Sequence, residues 1–123
     1  MTPTKPRSTS SREVFRRYRT IKMAADESMA SAVGTRRAWS RAMLWKLRSE
    51  AKRRRRSKSR IRCFSGRKGI AVAGQAKTAD LRRLVPGGQA MDLCSLLDET
   101  AHYIGCLTTQ VHVMRNIVHF CSS

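Results

Sequence analysis

The last thirty residues carry a seven-residue repeat of apolar side chains, and this repeat limits what the chain can fold into. One register of the repeat holds Leu97, Ile104, Val111 and Val118, and the other holds Leu93, Thr100, Leu107, Met114 and Cys121. Spacings of three and four residues place all of them on one stripe of a single helix of about 28 residues. A helix cannot bury its own stripe, so the repeat predicts packing against other helices.

A second, shorter helix is predicted just before this one, over about residues 75–85. Pro86, Gly87 and Gly88 end it, because proline cannot continue the hydrogen-bond ladder and glycine accepts left-handed geometry. Asp92 is then a suitable N-cap for the long helix. The two segments form a helix-loop-helix hairpin at 75–121.

The short helix supplies few apolar side chains, which favours two hairpins sharing one dimeric four-helix bundle. The alternative interpretation is that the repeat belongs to the core helix of a small monomeric bundle. The predicted dimer interface consists of Leu81, Leu84, Val85, Leu93, Leu97, Ile104, Leu107, Val111 and Met114.

The N-terminal half is predicted to be helical after a disordered tail at 1–11. Helical apolar spacing runs over 12–33 and stops at Gly34, after which Thr35 could cap a second helix that extends to about residue 60. Trp39 and Met43 share a face of that helix, a pattern more typical of packing than of nucleic-acid stacking. Glycines then mark 61–74 as a loose basic linker.

Positive charge dominates the chain and is confined to its first two thirds. The net charge is +18, and residues 1–85 hold 25 Lys and Arg against five Asp and Glu. Such a field attracts polyanions, so nonspecific nucleic-acid binding is an expected property. A basic run typical of nuclear localisation signals contains Lys52, Arg53, Arg54, Arg55, Arg56, Lys58 and Arg60. The Arg- and Ser-rich first 25 residues also fit an organelle import peptide, whereas no apolar run is long enough for a membrane span.

The hairpin resembles the basic helix-loop-helix family, and most closely its plant atypical group. Residues 96–107 and Gln110-Val111 resemble helix 2 of the family. The segments shared with the atypical group are Trp39-Ser40-Arg41-Ala42-Met43-Leu44, Arg82-Arg83-Leu84-Val85-Pro86-Gly87-Gly88, Met91-Asp92 and Val111-x-Val113-Met114. The resemblance covers 35–48 and 81–118. It implies a nuclear HLH antagonist of cell elongation linked to brassinosteroid signalling, which binds other HLH proteins.

The family's DNA-reading positions, counted back from Pro86, fall near Cys63, Arg67, Ile70 and Ala71. The family needs a hydrogen-bond acceptor where this chain has Arg67, and Ile70 and Ala71 are apolar. These side chains cannot make the family's base contacts. The resemblance therefore implies repression by heterodimerisation, without sequence-specific DNA binding.

Neither an enzyme nor a cofactor is indicated, because no nucleophile–base set or phosphate loop is visible. His102 and Cys106 share a helix face, but two ligands do not close a zinc site. Three hypotheses about the function remain open: an HLH regulator acting as heterodimer or homodimer, a basic RNA- or ribosome-associated protein, and a DNA-binding bHLH factor with an unusual basic arm.

Overall fold

The computed structural model describes residues 9–56 and 73–123, and over these ranges it contains helices and no strands. They are α1 (Ser11–Val33), α2 (Ala38–Arg56), α3 (Ala73–Leu84) and α4 (Leu93–Cys121), with a single 3-10 turn at Gly88–Ala90. The all-α class predicted from the sequence is confirmed. Most of the predicted tail and linker lies outside the described residues.

Helix α1 matches the segment predicted from its apolar spacing. The Ser10 side chain accepts a hydrogen bond from the backbone N–H of Arg12 at the start of α1. Gly34 ends the helix with a φ of 71°, a conformation that side chains with a Cβ rarely adopt, and its N–H donates to the carbonyl of Ala30. The predicted break at Gly34 is therefore confirmed.

Helix α2 begins later than predicted, and Thr35 is not its cap. Its first residue is Ala38, and the backbone N–H of Trp39 donates to the carboxylate of Glu99, 3.1 Å away on α4. A carboxylate at a helix N-terminus accepts a hydrogen bond from a free N–H and interacts favourably with the positive end of the helix dipole. The prediction was wrong because the capping group comes from 60 residues away in the chain.

The break between α3 and α4 forms as predicted. Gly87 has a φ of 75°, and a Cβ on Gly88 would lie 2.7 Å from the carbonyl oxygen of Arg82, so both positions require glycine. Asp92 caps α4, since its side chain accepts the backbone N–H of Ser95 at 3.2 Å. Helix α4 is 29 residues long and unbroken.

One small core joins the α1–α2 hairpin to the α3–α4 hairpin. Its buried members are Met29, Ala30, Trp39, Met43, Val85 and Leu96, and Leu47, Leu81, Tyr103 and Leu107 pack around them. Trp39 is fully buried, so the packing interpretation of its helical spacing with Met43 is confirmed. Its packing partner is the HLH unit of the same chain.

None of the helices within 9–56 and 73–123 has a stretch both long and apolar enough to span a bilayer.

Candidate protein-interaction surface

Helix α4 exposes a line of large apolar side chains beside the face that packs in the core. Between 48% and 64% of the surface of Leu93, Leu97, Ile104, Val111 and Val118 is exposed. The five side chains recur at spacings of four or seven residues, so they follow one side of the helix. We call these five residues the front face. A contiguous apolar line of this kind is typical of a surface that binds another protein.

A neighbouring side of α4 is held by the α1–α2 hairpin. The Trp39 and Tyr103 rings lie with their centroids 4.9 Å apart, and the Trp39 indole N–H donates to Nδ1 of His102 at 3.0 Å. Leu96 is fully buried beside them. This side of the helix has its partners within one chain, which leaves the front face as the exposed one.

Charged groups fix the same docking at the start of α2. A guanidinium nitrogen of Arg37 lies 2.7 Å from a carboxylate oxygen of Asp98 and 4.0 Å from one of Glu99. Glu99 also accepts the backbone N–H of Trp39. These contacts set the rotation of α4 about its axis relative to the hairpin, and this rotation determines which residues form the front face.

The remaining residues of the predicted interface occupy different environments. Leu84 is 73% exposed and lies near the C-terminal end of α3. Leu81 and Leu107 are partly buried against the core, Met114 is half-buried, and Val85 is only 3% exposed. Their participation in an interface stays a prediction. Thr100, which the repeat placed on the stripe, is instead buried and donates to the carbonyl of Leu96.

The C-terminal third of α4 extends beyond the core. Val113, Ile117 and Phe120 are 45%, 55% and 77% exposed, in addition to the front-face residues Val111 and Val118. Apolar side chains are therefore exposed on more than one side of this segment. A helix of this kind gains stability when a second helix packs along it.

Arg82 has a role that its charge did not suggest. Its guanidinium donates to the carbonyl of Gly88 at 2.9 Å and also to the carbonyl of Met91. The side chain thus ties α3 to the loop before α4 and gives the Met91 carbonyl a donor, while the Gly88 carbonyl also accepts the backbone N–H of Met91 at 3.3 Å. Sequence reasoning missed this role because a loop-binding arginine has the same sequence signature as a solvated one.

The other predicted site residues lie away from α4 or outside the described ranges. Lys52, Arg53, Arg54 and Arg55 are exposed on the last turns of α2, and Arg56 ends that helix. Lys58 and Arg60 lie outside the described residues. So do the four positions that correspond to DNA-reading residues: Cys63, Arg67, Ile70 and Ala71.

His102 and Cys106 meet on α4 as their spacing predicted. The Cys106 sulfur lies 3.6 Å from Nδ1 of His102, the nitrogen that also receives the Trp39 N–H. Within the described parts of the chain, no group of three metal-ligating side chains comes together. The histidine acts as a packing and hydrogen-bonding residue of the core.

Comparison with known proteins gives the family. Residues 2–51 match the model of the IBH1-like N-terminal domain. The chain is 38% identical to Transcription factor IBH1 of Oryza sativa subsp. japonica over an alignment of 140 positions that includes gaps and covers 89% of this chain and 69% of the rice protein. It is 34% identical to Transcription factor IBH1-like 1 of Arabidopsis thaliana, with 85% and 78% of the two chains covered.

A third relative extends the comparison to a protein with a bHLH name. The chain is 35% identical to Transcription factor bHLH149 of Arabidopsis thaliana over an alignment of 114 positions that includes gaps and covers 85% of this chain and 55% of that protein. No solved structure matches the chain. The resemblance to the atypical plant group is confirmed: the chain belongs to the IBH1-like family of plant helix-loop-helix proteins and is a transcriptional regulator of that family.

Proposed function

We propose that this chain represses transcription by forming heterodimers with other HLH proteins through the front face of α4, with the exposed Leu84 of α3 as a further contact. The observation that carries the proposal is the exposure of Leu93, Leu97, Ile104, Val111 and Val118 along one side of a single long helix. The chain acts as a regulator without catalytic chemistry of its own.

The energetics favour a partner on this face. Burying one large aliphatic side chain stabilises an assembly by about 1.5–3 kcal/mol relative to leaving it in water. Each front-face residue is roughly half exposed, so each contributes about 1 kcal/mol, and the five together about 5 kcal/mol before the entropy cost of association is subtracted. Leu84, which is 73% exposed on α3, is a further apolar side chain that we expect a partner to cover.

Repression follows when a heterodimer has only one arm that reads DNA. Around Cys63, Arg67, Ile70 and Ala71 the sequence lacks the acceptor that a bHLH arm needs for a cytosine amino group. Each lost base-pair contact lowers discrimination by about 1–3 kcal/mol, so losing a half-site of two or three base pairs removes several kcal/mol. A partner held in such a heterodimer no longer occupies its target sites.

Nuclear import is assigned to the basic run that begins on α2. Four of its residues, Lys52 to Arg55, are exposed on the helix surface, where an import receptor can reach them. A fluorescent fusion of the full chain is expected in the nucleus, and deletion of residues 52–60 is expected to spread it through the cell. Unchanged nuclear retention of the deletion would contradict this assignment.

The proposal is tested by co-precipitation of the full chain with a panel of plant HLH and bHLH proteins, after nuclease treatment. Ile104→Arg places a charge in the middle of the front face and is expected to abolish capture of HLH partners. Thr109→Arg is the matched control, because Thr109 is exposed on the same helix but outside the front face. Equal capture by the two variants would show that the front face is not the interface.

The same pair of variants tests repression in cells. A reporter driven by a DNA-binding bHLH partner is expected to fall with the wild-type chain and with Thr109→Arg, but not with Ile104→Arg. Repression that survives Ile104→Arg would contradict the heterodimer mechanism.

A further inference from the structure

The open end of the α1–α2 hairpin collects a dense positive charge from two helices. We call residues 11–22 of α1 and 46–55 of α2, the segments remote from the Gly34 turn, the open end of the hairpin. Arg54 Nη2 is 3.4 Å from the sulfur of Met23, which shows that the last turns of α2 lie against α1. These two segments contain eleven Lys and Arg and two Glu, and Asp26, which pairs with Lys22 just beyond the first segment, lowers the net charge from +9 to +8.

The acids at this end neutralise only part of the charge. Glu13 lies 2.6 Å from a guanidinium nitrogen of Arg16 and 2.8 Å from one of Arg17. Within the described ranges, Arg12, Arg19 and Arg54 have no carboxylate within 4.0 Å. Side chains with this arrangement are suited to an anionic ligand with several charges in a row.

Exposed aromatic rings lie among these arginines. A shallow depression at the open end is lined by Arg12, Phe15, Arg16, Arg19, Thr20 and Arg54. Phe15 is 60% exposed, and Tyr18, one turn further along α1, is 59% exposed. Aromatic rings beside arginines bind unpaired nucleobases by stacking while the guanidinium groups hold the phosphates.

We infer that the open end of the hairpin binds single-stranded nucleic acid without sequence preference, through arginines from both helices and the Phe15 ring. A duplex would satisfy the arginines, but its stacked bases would leave the exposed phenylalanine in the depression without a partner. The ring therefore points to unpaired bases. This surface shares no residue with the front face of α4, so the activity is separate from HLH pairing.

The test is fluorescence anisotropy of the full chain with labelled 20-nucleotide oligothymidine and oligouridine, and with a 20-base-pair duplex, across a salt series. Arg12→Gln with Arg19→Gln removes two charges from the open end. Arg36→Gln with Arg115→Gln is the matched control, because both are exposed arginines elsewhere in the molecule. Circular dichroism establishes that each variant keeps its helix content.

The open-end pair is expected to weaken single-strand binding about 25-fold at 0.1 M salt, because each lost phosphate contact removes about 0.7 from the slope of log K against log salt. The control pair is expected to change it far less. Phe15→Ala is expected to weaken single-strand binding about 5- to 150-fold, the range that stacking of one base gives, and to leave duplex binding unchanged. Ile104→Arg is expected to have no effect on either.

Three results would overturn the inference. The first is equal weakening by the two arginine pairs, which would mean that only overall charge matters. The second is Phe15→Ala binding single strands as tightly as wild type, which would make the site a duplex or general polyanion surface. The third is displacement of the oligonucleotides by an acidic amphipathic peptide that binds more tightly, which would identify the surface as a protein-docking site.

Discussion

Replacing Trp39 by alanine removes the largest fully buried side chain among the described residues and tests whether the α1–α2 hairpin packs on α4. Loss of a buried tryptophan costs about 3–5 kcal/mol of unfolding free energy. Part of that loss is the aromatic contact with Tyr103, which is worth about 0.5–1.5 kcal/mol, and part is the hydrogen bond to His102, worth about 1 kcal/mol. The full loss approaches the whole stability of a small domain.

A milder variant keeps the test informative if the alanine variant does not fold. Trp39→Phe retains an aromatic ring but leaves Nδ1 of His102 without its donor, so the expected loss is about 1–2 kcal/mol. With a urea m-value of about 2 kcal/mol per molar, the midpoint falls by about 0.5–1 M. Urea unfolding followed by circular dichroism measures the change.

Trp45→Ala is the matched control for both variants. Trp45 lies on the same helix but is 73% exposed, so its loss is expected to change the unfolding free energy by no more than about 0.5 kcal/mol. If Trp39→Ala also costs less than about 1 kcal/mol, the docking of the hairpin on α4 is refuted.

Three further predictions follow from the loop, the cap and the core. Gly88→Ala is expected to lower the unfolding free energy by about 1–3 kcal/mol, because its Cβ would meet the Arg82 carbonyl. Gly105→Ala, which has open space around it, is expected to raise the unfolding free energy by about 0.5–1 kcal/mol, and urea unfolding compares the two variants. The hydrogen bonds from Ser95 lower the pKa of Asp92 below 3.8. The stability that this cap supplies is therefore present above pH 3.8 and lost as the pH falls further, and Asp92→Asn should remove that part of the acid transition. Burial raises the pKa of Tyr103 above 10.0, so the unfolding free energy is expected to fall as the pH rises above 10.0, and Tyr103→Phe should flatten that decline.

The helix ends that depend on local chemistry could be predicted from the sequence. Gly34, the Pro86–Gly88 break and the Asp92 cap each act within a few residues of the helix that they bound. Such signals depend on backbone geometry and on side chains within one turn, both of which are written directly in the sequence.

The division of α4 into two faces could not be predicted in the same way. The repeat placed Thr100 with Leu97 and Ile104 on one stripe, yet Thr100 is buried and the other two are exposed. The boundary between the faces is set by contacts with Trp39 and Arg37, about 60 residues away in the chain. Periodicity fixes which residues share a side of a helix, and only tertiary docking decides which part of that side is covered.

The start of α2 shows the same limit. Residue type alone predicts Thr35 as the cap, whereas the group that caps α2 is Glu99 on another helix. A carboxylate brought in by tertiary packing leaves no signal near the helix that it caps.

Site-specific photocrosslinking shows directly which side of α4 a partner covers. The photoreactive residue p-benzoylphenylalanine is placed at position 104 on the front face or at position 109 outside it, and each full-length protein is irradiated with an HLH partner. We predict a crosslinked heterodimer from position 104 and little or none from position 109. Crosslinking that is absent at 104, or equal at both positions, would contradict the account of α4 as a helix with one face held within the chain and the other open to a partner.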